Sequence, residues 1–141
     1  MNDRRGADED IARLLSRPVW AVVGLTPNSR RPSHSVGRFL LDHGITVIPV
    51  NLQGASVHDQ RGVVTLDEID VPVDVVDIFR RSEMAGAHVD EAIRIGAAAV
   101  WLQLGVIDTE AADRAEAAGL TVVMDHCPAI EWPRLGPRRT R

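Results

Sequence analysis

Pro18-Val19-Trp20-Ala21-Val22-Val23-Gly24 is apolar at every position between its proline and its glycine. A strand with one face in water would alternate apolar and polar residues. An unbroken apolar run instead implies a strand buried on both faces, the usual situation in parallel sheets covered by helices. Similar runs recur at Thr46-Val47-Ile48-Pro49-Val50, Val73-Asp74-Val75-Val76-Asp77-Ile78-Phe79, Ala98-Ala99-Val100-Trp101-Leu102 and Leu120-Thr121-Val122-Val123-Met124. Five strands are therefore expected.

Helical patterns separate most of them. One helix is expected from a cap at Ser33 to about His43, with Val36, Leu40 and Leu41 on one side and Gly44 as its stop. A second runs from about Ala85 to Ile95 and stops at Gly96. A third begins at Asp108 or Thr109, passes through Ala111, Ala112, Ala115 and Ala118, and stops at Gly119. An N-terminal helix spans about Asp8 to Leu15. Val50 to Val73 is weaker, with a loop, a short strand at Val63-Val64 and one helical turn at Leu66 to Ile69. Strand–helix alternation gives an α/β fold: a five-stranded, mostly parallel sheet with helices on both faces. Ligands in such sheets bind beyond the carboxyl ends of the strands, where the strand order reverses.

The 141 residues suit one domain, with 45% hydrophobic and 26% charged residues. We divide the chain into a helical lead-in (1–13), a folded domain (14–135) and an Arg-rich flexible tail (136–141). Sixteen basic residues, all Arg, against 20 acidic give a net charge of −4, which argues against a general nucleic-acid binder. No stretch reaches the ~20 apolar residues of a membrane span, and the charged N-terminus does not read as a signal peptide. The single cysteine, Cys127, has no internal disulfide partner. A cytoplasmic protein is expected, and a homo-oligomer is compatible with all of this. The five histidines lack zinc-site spacing, so no metal is expected.

The turn after the first strand, Gly24-Leu25-Thr26-Pro27-Asn28-Ser29-Arg30-Arg31-Pro32-Ser33-His34, is suited to an anion. Gly24 lets a ligand approach the backbone. Thr26, Asn28 and Ser29 offer short polar groups, Arg30 and Arg31 add positive charge, and a following helix turns its amides to the same space. A dinucleotide fold would show Gly-x-Gly-x-x-Gly here and an acid at the end of the second strand. This turn has one of those glycines, and the second strand ends in neutral Asn51. NAD is disfavoured and a ligand richer in phosphate is favoured. With no Lys in the chain, a P-loop is excluded. Arg80-Arg81, after the third strand, reads as an anion clamp, or as a structural pair with Glu83 or Asp77 for one of the two.

The chain resembles the small stand-alone CoA-binding proteins, Rossmann-like domains similar to the CoA-binding domain of succinyl-CoA synthetase. The resemblance covers about Leu14 to Leu135. It rests on Ala21-Val22-Val23-Gly24-Leu25-Thr26, Arg31-Pro32-Ser33-His34, Ile48-Pro49-Val50-Asn51, Val76-Asp77-Ile78-Phe79-Arg80-Arg81-Ser82-Glu83, Val100-Trp101-Leu102-Gln103-Leu104-Gly105-Val106 and Asp125-His126-Cys127-Pro128. Thr26 replaces a usual Ser, Leu52 a usual Pro, and Asp59 lies near a usual Gly.

The resemblance implies a coenzyme A or acyl-CoA ligand, bound without catalysis by this domain. Gly24, Leu25, Thr26, Asn28 and Ser29 would cradle the pyrophosphate. Arg30 or Arg31 would neutralise it or reach the 3′-phosphate, with His34 alongside. Val50 and Asn51 would sit near the adenosine, and Phe79, Arg80 and Arg81 would flank the base or the phosphates. Gln103 and the Cys127 region would face the pantetheine end. Cys127 and His126 are adjacent in an extended chain and point opposite ways, so they are poorly placed as a nucleophile and its base. A mixed disulfide between Cys127 and the CoA thiol is the sharper hypothesis. Trp101 is read as core. The competing readings are an NAD(P)-binding enzyme or sensor, and a partner-binding module with a vestigial pocket.

Overall fold

The structure is a computed structural model that describes residues 5–138. Five strands, β1 (Val19–Val23), β2 (Thr46–Val50), β3 (Val75–Ile78), β4 (Ala99–Gln103) and β5 (Thr121–His126), form one sheet in the order β2-β1-β3-β4-β5. All four pairings are parallel. The helices are α1 (Asp8–Leu15), α2 (Pro32–Asp42), α3 (Ser82–Arg94), α4 (Thr109–Ala117) and α5 (Pro128–Leu135). The chain steps from β1 outward to β2, returns past β1 to β3, and then proceeds to β5. The reversal therefore lies between β1 and β3, where a crevice opens at the carboxyl ends.

Each strand contributes alternate side chains to two cores. On one face, Ala21, Val23, Val76, Ile78, Val100 and Leu102 pack against Ala85, Val89 and Ala92 of α3 and Ala111, Ala112 and Ala115 of α4. On the other, Trp20, Val22, Val75, Trp101 and Val123 pack against Ile11, Leu14 and Leu15 of α1, Leu40 of α2 and Trp132 of α5. Small residues on α3 and α4 let these helices approach the sheet and each other closely. Trp101 is core, as expected: it is fully buried, lies 5.4 Å from the Trp20 ring, and donates from Nε1 to His126 O.

The first four helices follow the expected plan with small shifts, and α5 is an eight-residue helix beyond that plan. Gly44, Gly96 and Gly119 all take positive φ just past α2, α3 and α4, as helix stops require. Asp108 is the cap of α4, its side chain accepting from Ala111 N at 3.0 Å. Leu66–Glu68 is a single 3₁₀ turn, and Val63 makes one parallel bridge to Val50 rather than a strand. Of the C-terminal arginines, Arg134 pairs with Asp8 and Glu131. Arg139 and Arg141 lie outside the described residues, as do Met1 to Arg4. No helix among the described residues is long and apolar enough to cross a membrane.

One core position is not apolar. Asp77 of β3 is fully buried between Val22 and Trp101, and neither carboxyl oxygen has a hydrogen-bond partner. Burial pushes its carboxyl well above the usual range and so favours the uncharged acid.

Candidate functional site

A groove of about 830 Å³ crosses the carboxyl edge of the sheet and takes in residues at the end of every strand: Gly24, Asn51, Phe79, Gln103 and Cys127. Its volume suits an elongated small molecule.

At its centre Gly24 has φ +92°, and a Cβ placed there would stand 2.4 Å from the carbonyl oxygen of Phe79. Close backbone contact between the end of β1 and Phe79 is therefore enough to require the glycine. Ser33 does not cap α2. Arg31 occupies the cap position and Pro32 opens the helix, while Ser33 Oγ donates to Gly24 O at 2.9 Å and ties the helix start to the turn.

Among the described residues, three arginines line the groove, Arg31, Arg80 and Arg81, and no Asp or Glu does. In a chain of net charge −4 this is local segregation of positive charge, which favours a polyanion. The two arginines after β3 differ. Arg80 approaches His88 Nε2 at 3.4 Å, and His88 also lines the groove. Arg81 is largely exposed and lies 3.8 Å from Glu83. So exposed a pair leaves Arg81 available to the groove, and Asp77 pairs with neither arginine.

Asn51 lines the groove, but its side chain is committed elsewhere. Nδ2 donates to Leu25 O (2.9 Å) and Ala55 O (3.0 Å), and Oδ1 accepts from Gln53 N (3.2 Å) and Ala55 N (2.8 Å). All four hydrogen-bonding capacities of the amide are used. Asn51 therefore knots the loop after β2 to the turn after β1 while lining the groove. Further along that loop, His58 and Asp59 have φ of 53° and 63°, so the position near Asp59 calls for the left-handed backbone that Gly adopts without strain.

Five of the expected residues do not line the groove. Leu25 is fully buried under α2, where Gly37 leaves room for it. Asn28 closes the turn on itself, accepting from Arg30 N with Oδ1. Ser29 and Arg30 are exposed beside it. The His34 ring packs 4.3 Å from His58, and its carbonyl faces His58 Nε2 at 2.8 Å. Thr26, Arg31, Val50, Phe79, Arg80, Arg81 and Gln103 do line it, as expected.

Other groove residues carry no obvious mark in the sequence. Leu52 (81% exposed) and Val64 line the β2 end, and Leu104 and Ile130 (62% exposed) line the β5 end. Near the β5 end Gln103 is 7% exposed, and its Oε1 is buried with no partner. Gln103 is placed by a bulge in the β4–β5 pairing, which Asp125 holds with φ 65° and a carboxylate that accepts from Gly105 N. Cys127 follows β5 as the cap residue of α5, lines the groove and is largely buried. His126 turns away to Glu131, with Nδ1 3.3 Å from Oε2, so the adjacent Cys and His do not work as a pair.

Residues 18–133 match the CoA binding domain family. The uncharacterized protein YneT of Bacillus subtilis is 38% identical over 119 residues, covering 84% of this chain and 88% of that protein. A hypothetical protein from Pyrococcus horikoshii superposes with a TM-score of 0.87 at 35% identity, covering 92% of both chains. A Thermus thermophilus protein gives 0.85 at 32% identity, covering 92% of this chain and 98% of that one.

Proposed function

The chain belongs to the CoA binding domain family, and on that premise we propose that it binds coenzyme A or an acyl-CoA in the carboxyl-edge groove without catalysing a reaction on it. The charge order along the groove carries this reading. Arg31, Arg80 and Arg81 gather near the β1–β3 crevice with no carboxylate among the described lining residues, and aliphatic side chains stand uncovered at both ends. That order matches CoA, whose phosphates lie between an adenine and a weakly polar arm. Leu52 and Val64 offer an apolar surface to a base. The unpartnered amide oxygen of Gln103 is suited to accept from an amide N–H of the arm, removing the cost of a buried, unsatisfied acceptor. Among the described groove residues no nucleophile is paired with a base, which supports binding rather than turnover.

Calorimetry with CoA, NADP and NAD in parallel, at low ionic strength, tests the proposal. Heat of binding is expected with CoA. A response to NADP and none to CoA would overturn it.

A further inference from the structure

We infer that Cys127 is a covalent capture site within the groove, taking one half of CoA disulfide as a mixed disulfide; this rests on the CoA reading above. Three observations converge. Cys127, 7% exposed and packed at the edge of one core, lines the same groove as the arginines and is the sole cysteine of the chain. Gln103, more than nine-tenths buried and with a free amide oxygen, lies in the same groove and is paired across the β4–β5 bulge with His126, the residue before Cys127. The third is reach. The strand order places β3 and β4 between β1 and β5, so the phosphate-binding turn and Cys127 are separated by three strand intervals, roughly 14 Å at about 4.8 Å each. From phosphate to sulfur the pantetheine arm has roughly a dozen bonds. At the axial advance of an extended polypeptide, about 1.2 Å per bond, it spans about 14 Å. A CoA anchored by its phosphates at Arg31 and extended past Gln103 brings its sulfur to Cys127. The exposed side chains of Leu104 and Ile130 mark an open end, through which the second half of a disulfide can extend into solvent.

The exchange balances without another oxidant. Cys127 Sγ gives its proton to solvent, and the thiolate attacks one sulfur of CoA disulfide. A new S–S bond joins Cys127 to one CoA, and the original S–S bond breaks. The second CoA leaves as a thiolate and takes up a proton. Cys127 is oxidised and the departing CoA is reduced.

The full chain, incubated with CoA disulfide and followed by intact-mass spectrometry, should gain one CoA less two hydrogens, and dithiothreitol should remove it. Labelling should be roughly tenfold or more faster than with glutathione disulfide, because a docked reagent meets the thiol at about millimolar effective concentration. Adenosine 3′,5′-bisphosphate, which carries the nucleotide and no thiol, should slow it. No adduct, or equal rates with the two disulfides and no effect of the bisphosphate, would overturn the inference. If calorimetry still shows CoA binding in that case, the capture site falls and the binding function stands. If it shows none, both fall.

Discussion

Arg80 donates to His88: Nη1 lies 3.4 Å from Nε2. A guanidinium can only donate, so Nε2 is the accepting nitrogen and the imidazole proton sits on Nδ1, 2.9 Å from Glu91 Oε1. Glu91 therefore fixes the tautomer of His88, and His88 steers Arg80 toward the groove. His88→Ala should leave the fold intact and lower CoA affinity about threefold to tenfold, the worth of one hydrogen bond. Calorimetry alongside a melting curve measures it; unchanged affinity would mean that Arg80 needs no steering.

Arg31 is placed by Pro32, which opens α2, and faces a groove that no acid among the described residues lines. Arg31→Ala should cost about 1.5–3 kcal/mol of CoA binding, roughly tenfold to a hundredfold, and should flatten the dependence of affinity on salt. Titrations at two ionic strengths read both effects. A loss of affinity with the salt slope unchanged would place the phosphates elsewhere.

Asn51→Asp replaces two donors by a carboxylate facing the carbonyl oxygens of Leu25 and Ala55. Leaving such groups unpaired costs about 1–3 kcal/mol, so the denaturation midpoint should fall whether or not CoA is present. A variant as stable as the parent but blind to CoA would make Asn51 a ligand contact instead of a loop tie.

The fold is legible in the sequence because its determinants are local. Unbroken apolar runs mark buried strands, and Gly44, Gly96 and Gly119 sit where a helix must end with positive φ. The groove is half legible. Thr26, Phe79, Arg80 and Gln103 stand at or just past strand ends, which the topology rule locates, and Arg31 stands at the start of the helix that follows β1. Ser33 misleads because a capping serine and a serine bonded across a turn look alike in sequence; the choice depends on Gly24 O, nine residues away. His88, two helical turns beyond Arg80, and Leu52 and Val64, on the loop after β2, join the groove only through tertiary structure. The neutrality of Asn51 distinguishes it from the acid of an NAD site, but its four backbone bonds cannot be read from residue type.

Gly24 gives a test of why a glycine ends β1. At φ +92°, with Phe79 O 2.4 Å from where a Cβ would stand, Gly24→Ala must both strain the backbone and push β3 away. The expected loss is about 2–3 kcal/mol or more, visible in the ligand-free protein by denaturant titration. An alanine variant of normal stability that had lost CoA binding would show that a ligand, and not β3, requires the glycine.

Asp77 makes stability depend on pH in a direction opposite to ordinary acid denaturation. Its carboxyl is buried without a partner, and burial holds it well above its usual value of 3.8. In the unfolded chain it ionises near that usual value, so over the intervening range the native state binds a proton that the unfolded state has lost. The stability this group permits is full below about pH 4 and falls by about 1.4 kcal/mol per pH unit as pH rises toward the native value. Exposed Asp8 and Asp42, lowered by hydrogen bonds from Arg134 and Arg38, act in the other direction, losing stability only as pH falls. Asp77→Asn keeps the shape and removes the ionisation. Its stability relative to the parent should therefore climb as pH rises above about 5, and taking the difference between the two proteins cancels the surface carboxylates. A difference that stays flat across that range would mean that Asp77 is ionised in the fold, with a counter-charge or water reaching it between Val22 and Trp101.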